Sequence, residues 1–260
     1  MSHRFDFSNK QAFVLGGNGL IGKETCSLLT ELGCDVIVLD KILPKKKVEG
    51  FTYNELDITD LDNLEVNFLE LLKLHGTPDI FINTSYPRTK DWAKNSFEEI
   101  SNSSFRTNID FHLNGFCLSS KIIAESMRKK NIKGSIVMVS SIYGVKAQDM
   151  TLYQGTNLKE NMSYPVIKSG IIHFAKQMAS YYGRDGIRVN TVLPSGLKGK
   201  IAGKNQGQNQ VFLKRYIERT PLKRMASAED IAYGIAFLAS DAASFITGQD
   251  LKIDGGLSII

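Results

Sequence analysis

The stretch Ala12-Phe13-Val14-Leu15-Gly16-Gly17-Asn18-Gly19-Leu20-Ile21-Gly22 opens on a short apolar run, turns through glycines and leads into a segment of helical period, Ile21–Leu32. A glycine-rich turn between strand and helix lets backbone N–H groups approach a pyrophosphate resting on the positive helix end. Side chains would block that approach, so Gly16, Asn18, Gly19, Leu20, Ile21 and Gly22 are the candidate phosphate-side contacts. Asp40 ends the second apolar run, 18 residues after Gly22. A carboxylate there can accept both hydrogen bonds of an adenosine ribose and repel a 2′-phosphate. NAD is therefore the expected cofactor, with NADP kept open by the neighbouring Lys41.

Outward from this turn, runs rich in β-branched residues recur at Val36–Leu39, Ile80–Ile82, Ile136–Val139, Val189–Leu193 and Leu251–Ile253. They alternate with helical segments near Leu61–Leu74, Phe97–Lys129, Pro165–Tyr182 and Ala228–Ser240. Fully apolar strands alternating with helices predict an α/β doubly wound fold on a parallel sheet, a single domain over 1–260. Gly196–Gln210, with almost no apolar residue, is expected to be a mobile loop over a site, part of a substrate loop near 196–215.

Composition narrows the function class. The 260 residues are 42% hydrophobic and 23% charged, which excludes a disordered or collagen-like chain. A net charge of +5 with no basic-aromatic pattern gives no reason to expect nucleic acid, and Lys45-Lys46-Lys47 reads as a solvated loop. Cys26, Cys34 and Cys117 form neither a metal spacing nor a disulfide framework, so the expectation is a cytoplasmic chain with reduced thiols and no metal. Met1–Lys10 does not read as a signal peptide, and no apolar stretch is long enough to span a membrane.

Tyr164-Pro165-Val166-Ile167-Lys168 places a phenol and an ammonium at i and i+4 on one helix face, an arrangement that lowers the phenol's pKa. Ser140-Ser141 closes the run Ile136–Val139, at the sheet edge where doubly wound folds place ligands. A hydroxyl there can meet the phenol over a substrate carbonyl.

With these motifs the chain resembles the short-chain dehydrogenase/reductase family over essentially its whole length. The tail carries most of the resemblance: Thr220-Pro221-Leu222-Lys223-Arg224, Ala228-Glu229-Asp230-Ile231-Ala232, Phe245-Ile246-Thr247-Gly248-Gln249, and Asp254-Gly255-Gly256. Gly186-Ile187-Arg188-Val189-Asn190 resembles the family's lead-in to strand six. The resemblance implies a Rossmann fold with a seven-stranded parallel sheet and NAD(P)-linked interconversion of an alcohol and a ketone. It makes Tyr164 the acid/base, Lys168 the group that holds the nicotinamide ribose and depresses the tyrosine, and Ser141, rather than Ser140, the group that polarises the substrate oxygen. Asp57-Ile58 resembles the adenine-contacting pair, Asn83, Thr84 and Ser85 the segment after strand four, and Pro194 to Leu197 the nicotinamide-side loop. A homodimer or homotetramer is likewise implied.

Four departures bear on the substrate. The middle glycine falls at Gly19, one residue early, as in the branch that acts on nucleotide sugars. Asn83-Thr84-Ser85-Tyr86 replaces Asn-Asn-Ala-Gly, setting Tyr86 and Arg88 beside the cleft as candidate substrate contacts; Arg88 can grip a phosphate, or be a solvated loop residue. His112 stands where the assisting Asn belongs, with Asn108 one turn earlier as the alternative. Ser141 and Tyr164 are 23 residues apart, further than in the family, so 145–162 is expected to form a second substrate loop. The runs Ser140–Val145, Tyr153–Thr156, Ser163–Ser169 and Ser85–Arg88 resemble the subgroup linked to flagellin modification and surface-glycan synthesis. That subgroup implies a phosphorylated or nucleotide-linked sugar, with Arg88, Lys198, Lys200 and Lys204 as anion contacts. The rival readings are an epimerase or dehydratase that recycles bound NAD, and a catalytically silent NAD-binding regulator.

Overall fold

The computed structural model describes residues 4–199 and 209–260. Lys200 and Lys204 thus lie outside the described residues. Seven strands form one parallel sheet: β1 Gln11–Leu15, β2 Asp35–Asp40, β3 Phe51–Glu55, β4 Ile80–Asn83, β5 Ser135–Val139, β6 Arg188–Pro194 and β7 Asp250–Ile253. Their order is β3-β2-β1-β4-β5-β6-β7, so the winding reverses between β1 and β4. Doubly wound sheets bind ligands in the crevice at the carboxyl ends of the strands at such a reversal.

The two-residue period of β1 assigns its side chains to opposite faces. Phe13 and Leu15 enter a core built with α2 Leu64–His75, α4 Gly115–Lys129 and α5 Ser163–Tyr182. Ala12 and Val14 enter the other, built with α1 Leu20–Glu31 and α7 Ala228–Ala239. β4 and β5 are buried at every position, which explains why they read as unbroken apolar runs.

The structure corrects three sequence expectations. β3, Phe-Thr-Tyr-Asn-Glu, pairs with β2 on one side as an edge strand and has no fully buried residue, so it lacks an apolar run. The helix expected from Phe97 begins instead at Asn102, where the Ser101 hydroxyl accepts the Ser104 N–H, and it is three segments: α3 Asn102–Asn108, a π-helical stretch Ile109–Asn114, and α4. Of the loop expected over 196–215, residues 200–208 lie outside the described residues, and the part from Gln210 on is helical; Asn209 stands just before that helix. Its amide oxygen accepts the N–H groups of Val211 and Phe212 and starts α6, Gln210–Arg219, whose Phe212, Leu213 and Tyr216 pack inward.

Candidate active site

On the cofactor side, Gly16 has φ +75°, and a Cβ there would lie 2.7 Å from the Ser85 backbone; one at Gly22 would lie 2.2 Å from the Gly16 carbonyl. These glycines let the turn fold on itself and against the end of β4. Gly19 offers α1 no side-chain cap, and the helix has no acidic residue in its first turn. Its first N–H groups, around Leu20, Ile21 and Gly22, therefore present uncompensated positive ends to the crevice, a seat for a phosphate. Asp40 accepts the Asn18 N–H at 3.0 Å and the Ile42 N–H at 3.2 Å, which pins the turn to the end of β2 and leaves lone pairs for a diol.

The remaining cofactor-side residues fall around this crevice. Lys41 pairs with Asp57 at 2.5 Å. Burial pushes the Asp57 carboxyl up, but Lys41 and Thr59 outweigh it and hold its pKa below the ordinary value. Ile58 is a core residue, its carbonyl facing Gly115. Thr84 donates to the Leu15 carbonyl at 2.9 Å, and Asn83 Oδ1 accepts the Ser85 hydroxyl at 2.6 Å. The Asn83 Nδ2 is buried with no partner, an orphaned donor at the switch point. Pro194 ends β6, and Leu197 bridges to Ala226 beside it.

The reacting groups meet at the end of β5. Tyr164 and Lys168 lie in the first turns of α5, the ammonium 5.6 Å from the phenol ring centre. Burial pushes the Tyr164 phenol up to about 12, the reverse of the lowering expected from Lys168, and a hydrogen bond with Ser141 counters it. Ser140 is committed elsewhere, donating to the Lys168 carbonyl at 2.8 Å. Lys168 Nζ donates to the Val139 carbonyl at 3.2 Å and meets His112 Nε2 at 3.3 Å, with the rings of Tyr86 and Phe116 also 5.7 Å away. Burial pulls its pKa down to about 7.

His112 sits in the π-helical stretch, fully buried; burial and then the Lys168 charge drive its pKa well below the ordinary value. The ring is neutral, and its Nε2 accepts from the ammonium, so the proton is assigned to Nδ1, which has no partner. Asn108 points into a different cluster, donating to Thr89 Oγ1 at 2.9 Å and Asn95 Oδ1 at 3.0 Å.

An aromatic wall faces the phenol. Tyr86, Trp92 and Tyr143 stand 6.0, 6.3 and 6.4 Å from the Tyr164 ring, all edge to face. The Arg88 guanidinium lies 5.5 Å from the Tyr86 ring centre. Behind the wall, 145–162 is anchored to α6: Arg219 pairs with Asp149 at 3.1 Å and donates to Thr151 Oγ1 at 2.5 Å. Lys198 is exposed, its N–H bonded to the Ala226 carbonyl. Trp92 and Asn161 belong to no sequence motif, and Tyr143, although inside the run Ser140–Val145, has no site role predicted from it; the lone tryptophan four residues after Arg88 was the available signal.

A phenol held by a hydroxyl, with an ammonium beside it and an anion seat across the crevice, can exchange a proton with a carbonyl oxygen while a bound nucleotide serves the redox step. Among the described residues no group of three His, Cys, Asp or Glu is placed to hold a metal ion, and no helix is long and apolar enough to cross a membrane.

A family model described as enoyl-(acyl carrier protein) reductase matches residues 18–258. The chain is 32% identical over 258 residues to the post-translational flagellin modification protein A of Campylobacter coli, covering 95% of this chain and 98% of that one. It is also 32% identical to the 3-oxoacyl-[acyl-carrier-protein] reductase of Buchnera aphidicola subsp. Schizaphis graminum, covering 95% and 97%. Among solved structures, a short chain dehydrogenase from Leptospira borgpetersenii with bound NAD+ superposes with a TM-score of 0.87 at 32% identity, covering 99% of this chain and 96% of that one.

Proposed function

The chain belongs to the short-chain dehydrogenase/reductase family, and from that premise we propose that its cleft interconverts an alcohol and a ketone on an anionic sugar derivative, with NAD preferred over NADP. At the coarser level the family makes the protein an NAD(P)-dependent oxidoreductase. The residues present fit the nucleotide: an uncapped start to α1, a carboxylate ending β2, and the orphaned Nδ2 of Asn83. When bound, the nicotinamide takes or supplies the electron pair at the carbinol carbon.

In the reductive direction Tyr164 gives its phenolic proton to the carbonyl oxygen while the Ser141 hydroxyl holds that oxygen. In the oxidative direction the phenolate takes the proton back. Lys168 stabilises the phenolate and is itself held by His112 Nε2 and the Val139 carbonyl. The observation that carries this reading is the convergence of the Ser141 hydroxyl and the Lys168 ammonium on one phenol at the end of β5.

The relationship to a flagellin modification protein supports a sugar, and Arg88 beside Tyr86 supports an anionic group on it. Lys41, neutralised by Asp57, supports NAD over NADP. We further propose a cytoplasmic homo-oligomer paired through α4 and α5. The test is NADH consumption with phosphorylated and nucleotide-linked keto sugars against an acetoacetyl thioester. Turnover of a keto sugar is expected; exclusive turnover of the thioester overturns the sugar reading.

A further inference from the structure

One side chain joins 145–162 both to the catalytic helix and to the wall facing it. The Asn161 amide oxygen accepts the Tyr164 N–H at 2.9 Å, and its amide nitrogen donates to the Trp92 carbonyl at 3.2 Å. Its own N–H is held by Gln148 Oε1 at 3.3 Å. The carboxamide carries an acceptor and a donor on one planar group and so makes both bonds at once. The neighbouring Asn95 braces the same helix start, accepting the Met162 N–H at 2.8 Å and the Ser163 hydroxyl at 2.9 Å, but it reaches the turn at Asp91.

We propose that Asn161 is the positioning residue that sets the gap between the Tyr164 phenol and the Trp92 ring, so that the segment 145–162 governs substrate specificity through this one amide. The apolar rings around the phenol favour a substrate that presents C–H groups next to its reacting carbon, such as the face of a pyranose. This choice of substrate rests on the oxidoreductase reading; the clamp itself rests on the two hydrogen bonds.

Trp92 is the only tryptophan in the sequence, so its fluorescence reads the wall directly. Asn161→Asp keeps an acceptor for the Tyr164 N–H, with a charge that suits a helix start, but removes the donor to Trp92. Asn161→Ala removes both. For Asn161→Asp we expect the parental melting temperature and NADH dissociation constant, with red-shifted emission, steeper acrylamide quenching and weaker energy transfer from Trp92 to bound NADH. Asn161→Ala shows the same fluorescence changes and a lower melting temperature.

Parental emission, quenching and transfer in Asn161→Asp overturn the proposal, as does altered emission with parental KM for the accepted substrate, where a raised KM is expected. A melting temperature for Asn161→Asp as low as that of Asn161→Ala overturns the capping half of it. Failure of the oxidoreductase reading shows differently, as absence of NADH-dependent turnover in the parent, and leaves the emission and quenching comparison intact.

Discussion

Around the glycine turn most of the fixing contacts are made by backbone groups at the strand ends, whereas the wall across the cleft is held by side chains that reach far along the chain. Gly16 N–H finds the Leu39 carbonyl and Asn18 N–H finds Asp40, 22 residues on. Opposite them, Asn161 to Trp92 spans 69 residues, and Ser163 to Asn95 and Arg219 to Thr151 each span 68. Contacts of the first kind form with the strands themselves. Those of the second kind must close long loops and depend on single side chains. Outside the glycines of its turn, the cofactor half is therefore tolerant of single side-chain changes, and the substrate half adjustable by them.

The reacting centre lies between the two halves and is where the largest effect is expected. Tyr164→Phe removes the proton donor without touching either half, so turnover should fall by about 10²- to 10⁴-fold. NADH affinity and Trp92 emission should stay parental; steady-state rates alongside a fluorescence titration check this. Since burial holds the phenol up to about 12, it is protonated at neutral pH. Ketone reduction should accordingly persist at neutral pH while alcohol oxidation climbs toward alkaline pH, which rate profiles in both directions will reveal.

Lys168→Met tests the same centre through stability. The parent's lysine has a pKa of about 7 folded against 10.5 ordinarily, so between those values the unfolded chain binds more protons. Parental stability should rise with pH across that window relative to Lys168→Met, by up to about 1.4 kcal/mol per unit. Denaturant melts of both proteins at several pH values measure it; a flat difference would mean the ammonium is not desolvated.

The same contrast explains what could be read from sequence. The turn at Gly16–Gly22, Asp40 at the end of β2, and the Tyr164 and Lys168 pair are patterns of spacing, and spacing is local. β3 escaped the pattern because an edge strand need not be apolar on both faces. The π-helical stretch at Ile109–Asn114 breaks the helical period, which is why His112 and Asn108 could not be separated before the ring was seen against Lys168. Trp92, Tyr143 and Asn161 have no spacing rule relating them, since folding brings them together from three segments.

His112 sharpens the boundary between halves. His112→Leu removes an acceptor from a buried ammonium, a loss of about 1.5–3 kcal/mol or roughly 10- to 100-fold in turnover, whereas His112→Gln retains an acceptor and should lose less. Equal losses would show that the ring acts by packing against Tyr86, 5.2 Å away, rather than by accepting from Lys168. On the wall, Arg88→Ala should weaken binding of a phosphorylated sugar about 10-fold, equivalent to about 1.4 kcal/mol, while leaving NADH binding alone. Thermal shifts with each ligand separate the two.

The smallest effect is expected deepest in the cofactor half. Lys41 is more than half exposed and its charge is spent on Asp57, and exposed pairs of this kind contribute about 0–1 kcal/mol. Lys41→Ala should therefore change NADH affinity by less than about five-fold. It releases Asp57, but Thr59 still donates twice to that carboxylate, so the end of β3 keeps its shape. NADPH is the sharper probe. If Lys41 leaves Asp57 to meet a 2′-phosphate, the variant loses NADPH affinity selectively, and the cofactor half is less fixed than its local bonds imply. If both nucleotides respond alike, the preference for NAD resides in Asp40, whose carboxylate the backbone of Asn18 and Ile42 already holds in place.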